Sequence, residues 1–264
     1  MDRSDAVNQE YLLNEQYKDA SNFSARVQAV QGLNTQALDW YPWIFKLMKE
    51  TPNLCVLELG CGPGYLWLQN LERIAPGWDV TLSDFSPGMI AAAQNTLSQS
   101  KQLFTFQVID AQDIPHEDAS FDIVIAHLML YHVPDLPRAF AEIRRVLKPG
   151  GTFYTSSISQ AFLVSLGKIM SVAGMDTWEN MLSFSLENGA EELAPWFSHT
   201  ETQRLSTPLV FPSAEPLLTF IRASTPQSRY SADAFRHLQA FIQQEIARNG
   251  EIRLNVDMGA FIAS

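Results

Sequence analysis

A short apolar run that ends in a glycine loop constrains the fold of this chain more than any other segment. The run LCVLEL covers residues 54–59, and the loop GCGPG follows it at residues 60–64. Glycine has no Cβ and lets a ligand approach the backbone, while Pro63 suits the first turn of a helix. The segment predicts a strand, a loop and a helix over residues 63–74. Taken alone, the motif is also compatible with an ordinary turn.

The same alternation of strand and helix continues over the next hundred residues. Apolar runs predict further strands at residues 78–84, 104–110, 121–126 and 152–157. Helices are predicted from Ser86 and Pro87 to about Ser98, and from Asp135 and Pro137 to about Leu147. Strands that alternate with helices are typical of a parallel sheet with right-handed crossovers.

The rest of the chain carries a weaker pattern. Helical spacing of apolar residues predicts helices in residues 159–172, 177–197, 214–223 and 231–248, and extended structure is predicted for residues 201–211 and 251–263. No segment reaches the roughly 18 apolar residues that a membrane span needs.

Charge and cysteine content exclude other classes of protein. The net charge of −11 disfavours a nucleic-acid partner, because polyanions are bound largely by lysine and arginine. Cys55 and Cys61 form neither a disulfide framework nor a metal site, so both are expected as reduced thiols. The first residues lack the apolar stretch of a secretion signal, and the expected location is the cytoplasm.

Acidic residues close the second and third predicted strands. Asp84 comes 20 residues after Gly64, where a carboxylate can accept hydrogen bonds from a ribose diol. Asp110 ends the next strand and offers a polar group to an adenine edge. Either acid alone is equally compatible with a helix cap or a surface carboxylate. Their joint placement at successive strand ends favours a nucleoside-containing cofactor.

These segments together resemble the class I S-adenosylmethionine-dependent methyltransferases of the small-molecule type. The resemblance covers roughly residues 40–158 and rests on the motifs VLELGCGPG, SDFSPGMI, VIDAQDIP, FDIVIAHLMLYHV and LKPGGTF. It implies an α/β fold with a Rossmann-like seven-stranded sheet, mostly parallel, whose antiparallel last strand forms a hairpin from residues 201–211 and 251–263. One domain is expected over residues 1–264, with lid helices (1–39), a cofactor-binding core (40–158), a substrate cover containing the sixth strand (159–250) and the final strand (251–264).

The resemblance also implies which residues bind the cofactor S-adenosylmethionine. Tyr17 and Arg26 would close over it, with Arg26 pairing the cofactor's carboxylate, although both also suit polar positions on an amphipathic helix. The other implied contacts are Glu58, Gly60, Cys61, Gly62 and Gly64 at the methionine moiety, Asp84 at the ribose, Phe85 and Met89 beside the adenine, Asp110, Ala111 and Gln112 at its amino edge, and His127 at the sulfonium.

A nicotinamide cofactor fits this sequence less well. The dehydrogenase fingerprint GxGxxG places helix amides at a pyrophosphate, whereas the third glycine here comes one residue early.

Methyl transfer mainly requires alignment of an acceptor with the S–CH₃ axis, and a base only where the acceptor carries a proton. His127, Tyr131 and His132 follow the fourth strand and are the predicted catalytic residues. Alternatively, His127 is a cofactor wall and His132 caps the ValProAsp turn after it.

Absent motifs narrow the chemistry further. No AsnProProTyr or AspProProTyr box and no ProCys pair follow the fourth strand, which disfavours nucleobase methylation. A metal-dependent catechol type would need an acidic ligand where Ala126 and His127 stand, so no metal is expected. Seven apolar residues of the substrate cover are predicted to line its wall or, alternatively, to belong to the ordinary core. They are Trp178, Met181, Phe184, Trp196, Phe197, Phe211 and Phe220.

The sequence therefore predicts an enzyme that transfers a methyl group from S-adenosylmethionine to an O, N or C atom of a small-molecule metabolite. The expected partner is that acceptor, with neither nucleic acid nor membrane. Two alternatives stay open, a methyltransferase of protein side chains and a non-catalytic module that binds S-adenosylmethionine. The residues indicate neither the acceptor nor an oligomeric state.

Overall fold

Seven strands form the sheet of the computed structural model, which describes residues 6–33, 40–178, 181–225 and 229–264. The strands are β1 (Cys55–Leu59), β2 (Asp79–Asp84), β3 (Phe104–Val108), β4 (Phe121–His127), β5 (Leu147–Ile158), β6 (Thr200–Phe211) and β7 (Ile252–Ala263). Their order across the sheet is β3-β2-β1-β4-β5-β7-β6. The predicted seven-stranded α/β sheet is confirmed.

The first five strands run parallel. Leu57 of β1 pairs with Thr81 of β2 on one side and with Val124 of β4 on the other. Residues 123–126 of β4 are fully buried, as expected of a strand covered on both faces. The chain builds outward from β1 to β3 and then returns to place β4 beside β1, so the strand order reverses between these two strands. Open α/β sheets bind ligands at the carboxyl ends of strands at such a reversal.

The last two strands form the predicted antiparallel hairpin. β6 and β7 pair from Thr200 and Ala263 at one end to Phe211 and Ile252 at the other. β7 also pairs antiparallel with β5, which inserts the final strand of the chain between β5 and β6.

Helices flank the sheet and form a cap. The described α-helices are α1 (Gln9–Tyr11), α2 (Ser21–Val30), α3 (Trp40–Phe45), α4 (Tyr65–Leu68), α5 (Pro87–Thr96), α6 (Leu136–Val146), α7 (Gln160–Ser171), α8 (Gly189–Leu193), α9 (Ala214–Ser224) and α10 (Ala232–Asn249). A π-helical turn covers Leu12–Gln16, and 3-10 turns cover Leu71–Arg73 and Leu130–His132. No helix in these described ranges has the length and apolar character needed to cross a membrane.

The predicted helix starts are confirmed at their caps. The Ser86 hydroxyl accepts the Met89 N–H at 3.2 Å and Pro87 follows as the first helical residue of α5. Asp135 caps α6 through the Arg138 N–H at 3.1 Å. These side chains satisfy amides that have no partner within the first turn.

Two predicted helices are much shorter than expected. The helix predicted over residues 63–74 is α4 followed by a 3-10 turn, because the Asn70 side chain donates to the carbonyls of Leu66 and Tyr41 and interrupts the helix. In the stretch predicted as helical over residues 177–197, the described helix is α8 alone. There the Asn188 side chain accepts the Ser185 N–H, a local bond that competes with helix. Residues 179–180 lie outside the described residues.

Three apolar clusters hold these layers together. One contains Trp67 and Leu82 with residues of α3, α4 and α5 against one face of the sheet, and another contains Phe140 and Phe153 with α6 against the other face. A third joins α7, α9 and α10 to the outer hairpin around Leu218. The buried residues of this third cluster come from helices, loops and the outer hairpin, and none comes from β1 to β5. We call this cluster the cap, and it lies at the carboxyl ends of the parallel strands. The division of residues 1–264 into one domain with a lid and a cover stays a prediction, and residues 1–5 and 34–39 of the predicted lid lie outside the described residues.

Candidate active site

The carboxyl ends of β1, β2 and β4 open into a cavity of about 340 Å³. Its walls are formed by residues at these strand ends, in the N-terminal segment (residues 6–33) and in the cap. Cavities of small-molecule and cofactor sites typically have volumes of about 300–1,000 Å³, and they favour this place in α/β sheets.

The glycine loop lies at the floor of this cavity, but its three glycines have different surroundings. All three have positive φ, at +70° for Gly60, +52° for Gly62 and +78° for Gly64. A Cβ at Gly62 would meet no heavy atom within 4 Å, whereas one at Gly60 would collide with Met129 at 2.8 Å. Gly64 does not line the cavity; a Cβ there would meet Leu97 at 3.1 Å. The structure thus places Gly60 and Gly62 in the cavity wall and Gly64 outside it, at the start of α4.

Asp84 ends β2 and presents a carboxylate that the backbone holds in place. Oδ2 accepts the Gly62 N–H and Oδ1 accepts the Ser86 N–H, each at 2.9 Å. Burial raises the pKa of Asp84 to about 6, against the opposing effect of these amide hydrogen bonds. Each carboxylate oxygen can accept two hydrogen bonds, so each retains capacity for one ligand hydroxyl. This geometry fits the hydroxyl pair of a ribose.

A second carboxyl group, that of Glu58 on β1, lines the same cavity and is 3% exposed. The indole N–H of Trp67 donates to its Oε2 at 2.5 Å. Burial raises the pKa of Glu58 to about 8, and the charge of Asp84 raises it as well. Burial and the two neighbouring acids raise the pKa of the Cys61 thiol. Two carboxyl groups in one water-poor site favour a ligand with positive charge, which the sulfonium and ammonium of S-adenosylmethionine would supply.

The residues predicted to surround the adenine lie together at the end of β2 and beyond β3. Phe85, Met89, Asp110, Ala111 and Gln112 all line the cavity. The Asp110 carboxylate accepts the Gln112 N–H at 2.9 Å and the Gln112 side-chain amide at 3.0 Å.

The N-terminal segment adds a contact to this group that the sequence did not reveal. The side chain of Gln9 on α1 donates to Asp110 Oδ2 at 3.3 Å and lines the cavity. Nothing in the pattern of residues 6–16 identifies this contact, because it joins positions about a hundred residues apart.

His127 ends β4 with one ring nitrogen bonded and the other unpartnered. Nδ1 lies 3.1 Å from the hydroxyl of Ser156, and Nε2 is buried with no partner among the described residues. The Ser156 hydroxyl is buried, and its contact with Nδ1 orients the ring so that Nε2 is left for a bound ligand. Burial lowers the pKa of His127 to about 3, which keeps the ring neutral at physiological pH.

Tyr131 and His132 follow on a 3-10 turn, and both line the cavity. His132 Nδ1 lies 2.7 Å from the carbonyl oxygen of Ala6, so this nitrogen carries the proton and Nε2 accepts from the Tyr17 hydroxyl at 2.9 Å. Burial lowers the pKa of His132 to about 4 and raises that of Tyr131. The bonds of the His132 ring therefore run to the N-terminal segment, and not to the turn that follows it.

Tyr17 and Arg26 both lie in the cavity wall. Arg26 donates to the Tyr17 hydroxyl at 3.3 Å and to the Ala223 carbonyl of α9 at 3.1 Å, and its guanidinium lies 5.5 Å from the centre of the Tyr17 ring. No carboxylate among the described residues forms an ion pair with Arg26. Its charge thus suits an anionic group of a ligand.

The N-terminal segment is docked onto the amino end of α5. The Ser86 hydroxyl donates to the Tyr17 carbonyl at 2.6 Å. The carbonyl of Lys18 approaches Gly88 so closely that a Cβ there would overlap it. This contact holds residues 17–18 beside the cavity.

The cover contributes fewer of the predicted aromatic residues than expected. Trp178, Met181 and Phe220 line the cavity. The remaining four, Phe184, Trp196, Phe197 and Phe211, do not line it and pack in the apolar clusters. Several lining residues had no signal in the sequence beyond apolar character, namely Leu12, Leu13, Trp40, Tyr41, Ile44, Phe162, Leu163 and Leu182. The polar Gln16 also lines the cavity and had no signal. Within the described residues no group of His, Cys, Asp and Glu has a geometry suited to a metal ion.

The chain is similar to known methyltransferases. A family model described as a methyltransferase domain matches residues 57–155. The demethylmenaquinone methyltransferase of Symbiobacterium thermophilum is 33% identical over 150 residues, which are 55% of this chain and 58% of that protein. The matched part of the chain thus spans little more than half the length of this curated relative.

Solved structures share the fold. The YcgJ protein of Bacillus subtilis has a TM-score of 0.62 at 18% identity, over 84% of this chain and 96% of that one. Phosphoethanolamine N-methyltransferase 2 of Haemonchus contortus, solved with S-adenosyl-L-methionine, has a TM-score of 0.60 at 23% identity, over 97% of this chain and 59% of that one.

The family match, the sheet topology and the strand-end residues thus lead to the same assignment. The resemblance inferred from the motifs at residues 56–64 and 83–90 is confirmed. The chain contains a methyltransferase domain of the class I S-adenosylmethionine-dependent type, matched over residues 57–155.

Proposed function

We propose that this protein transfers the methyl group of S-adenosylmethionine to an O, N or C atom of a small-molecule metabolite. The observation that carries the proposal is one cavity whose floor holds Gly62, the buried carboxyl group of Glu58 and the half-buried one of Asp84, and whose cover is apolar. Its floor suits the polar, cationic donor, and its cover suits an acceptor of limited size.

The proposed cofactor contacts follow from the charges and open positions of the floor. Asp84 accepts the ribose hydroxyls, and the open face of Gly62 admits the methionine moiety. Glu58 is protonated below about pH 8 in the free protein, and the positive charge of the bound donor lowers its pKa so that the ionised carboxylate balances that charge. Arg26 pairs the carboxylate with the guanidinium hydrogens that Tyr17 and Ala223 leave unused.

The bound donor supplies an electrophilic methyl group, and the residues of this chain align the acceptor and exclude water. His127 is neutral, and its unpartnered Nε2 suits a hydrogen bond with a bound ligand. His132 positions Tyr17, because both of its ring nitrogens are bonded. Tyr131 remains the predicted group for orienting the acceptor.

A protein side chain is a less suitable acceptor for this cavity. The N-terminal segment and the cap contribute walls on either side of the strand ends, and residues 17–18 are packed against α5. Incubation of the protein with S-adenosylmethionine labelled in the methyl group and a cell extract distinguishes the alternatives. We expect label in the low-molecular-weight fraction. Label confined to protein would favour the side-chain alternative, and binding without label transfer would favour a non-catalytic module.

Substitution of Asp84 tests the cofactor site directly. Asp84→Asn removes the charge but keeps the shape, and we expect affinity for S-adenosylmethionine to fall about 10-fold or more, since hydrogen bonds to charged groups contribute about 1.5–3 kcal/mol. Calorimetric titration measures the change. Asp79→Asn, at the exposed opposite end of the same strand, is the matched control and should bind normally. Equal affinities for the two variants would contradict the assignment.

A further inference from the structure

We propose that the indole N–H of Trp178 binds the methyl acceptor and selects an apolar molecule that carries a neutral hydrogen-bond-accepting oxygen, such as a carbonyl. This inference rests on the proposed function, because it names the class of acceptor for the same cavity. It concerns the cap side of the cavity and not the cofactor side.

The distribution of unpartnered polar atoms points to this nitrogen. Four buried side-chain atoms in the described part of the chain have no hydrogen-bond partner, His127 Nε2, Trp178 Nε1, Thr200 Oγ1 and Thr207 Oγ1. Both nitrogens belong to residues that line the cavity, whereas neither threonine does. An unsatisfied buried donor costs about 1–3 kcal/mol, so buried polar groups without partners need an explanation. A ligand that fills the cavity provides one.

The backbone around Trp178 holds the side chain in this position. Trp178 is 3% exposed and has φ of +52°, a left-handed conformation that is unfavourable for a bulky residue. The Gln160 side chain of α7 donates to the Trp178 carbonyl at 3.0 Å. Gly167 of the same helix lets the Thr177 carbonyl approach so closely that a Cβ would overlap it. The chain before the indole is thus packed closely against α7.

The neighbours of Trp178 in the cap define the rest of the ligand. The other cap residues that line the cavity carry no charge, and they are Phe162, Leu163, Met181, Leu182, Phe220 and Ser224. Arg26 also lines the cavity, but the proposed function assigns it to the carboxylate of the cofactor, so a negatively charged acceptor would have no cation of its own. A hydrocarbon would leave the indole N–H unsatisfied. An apolar body with one or more neutral oxygen acceptors satisfies both the apolar wall and the donor.

Binding of two probes of similar shape tests this inference. With the protein saturated by S-adenosylhomocysteine, calorimetry compares 1-tetralone, which has a carbonyl, with tetralin, which does not. We expect tighter binding of 1-tetralone. In proton NMR spectra, the assigned indole N–H signal of Trp178 should shift downfield with 1-tetralone but not with tetralin. Trp178→Phe keeps an aromatic ring and removes the donor, and it should weaken 1-tetralone binding about 5- to 10-fold without affecting tetralin. Trp196→Phe makes the same change outside the cavity and should alter neither.

Several results would overturn the inference. These are equal affinities for the two probes, no binding of 1-tetralone, an unmoved Trp178 indole resonance, or an equal loss of both probes in Trp178→Phe. The NMR measurement on the unaltered protein decides the question even if the variant does not fold. Normal binding of S-adenosylhomocysteine together with any of these results leaves the proposed function in place. Failure to bind S-adenosylhomocysteine would overturn both.

Discussion

Glu58 and Asp84 bring two carboxyl groups into one buried site, and their protonation links folding to pH. The ordinary pKa of glutamate is 4.5, and burial raises that of Glu58 to about 8. Between these values the folded protein keeps a proton that the unfolded chain releases. The free energy of unfolding therefore falls as pH rises from 4.5 to 8, by about 1.4 kcal/mol per pH unit. The raised pKa of Asp84 adds a contribution of the same sign below pH 6.

We therefore predict that Glu58→Gln removes most of this slope. The amide keeps an acceptor for the Trp67 N–H but does not ionise, so the variant should gain stability relative to the native protein as pH rises. Urea unfolding at pH 5, 6, 7 and 8 measures the difference. The exposed Glu72→Gln should follow the slope of the native protein. A native slope retained in Glu58→Gln would mean that Glu58 is ionised in the folded state.

Individual site residues differed in how far the sequence identified them. Asp84 and Asp110 were found because Asp84 ends β2 and Asp110 comes two residues after β3, and strand ends meet at one edge of a parallel sheet. Gly64 shares a motif with Gly62 but faces Leu97, since the loop turns between them. Local spacing does not determine the direction in which a loop residue points.

At the scale of elements, the contact between the N-terminal segment and α5 holds Tyr17 in the cavity wall. We predict that Gly88→Ala displaces residues 17–18, because the added Cβ would overlap the Lys18 carbonyl. Alanine is the better helix former, so α5 itself should remain intact. S-adenosylhomocysteine should bind more weakly, and amides of residues 9–30 should exchange hydrogen faster.

Hydrogen-exchange mass spectrometry with calorimetry checks both effects. Ala91→Ser, on the exposed face of the same helix, provides the control. Unchanged exchange in residues 9–30 of Gly88→Ala would show that the contact does not hold the segment.

Helices whose limits depend on capping were predicted well, and those interrupted by side chains were not. Ser86 and Asp135 start α5 and α6 through bonds within three residues, so the signal is local. Asn70 ends a helix by reaching Tyr41, a partner about thirty residues earlier in the chain. No feature of the local sequence indicates such a contact.

At the scale of the whole molecule, ligand binding should stabilise the folded chain. The cavity joins the parallel core, the N-terminal segment and the cap, so one ligand bridges all three. A ligand at 100 times its Kd adds about 2.7 kcal/mol to the free energy of unfolding. For a protein of this size the expected rise in Tm is about 5 °C or more.

Differential scanning calorimetry with S-adenosylhomocysteine measures this rise. Asp84→Asn at the same ligand concentration should show a markedly smaller one, and Asp79→Asn should match the native protein. An equal rise in all three would show that the stabilising ligand does not contact Asp84.

The sequence by itself determined the parallel α/β core, its closing hairpin and the family, because periodicity, helix caps and strand-end residues are signals within short segments. Tertiary structure alone decided which side chains face the cavity. Trp178 lines it and Phe184 does not, although both are aromatic residues of one stretch. Glycine is needed at position 88 because the carbonyl of Lys18, seventy positions earlier in the chain, packs where a Cβ would lie. Such choices depend on how distant segments pack, and packing is a property of the folded chain.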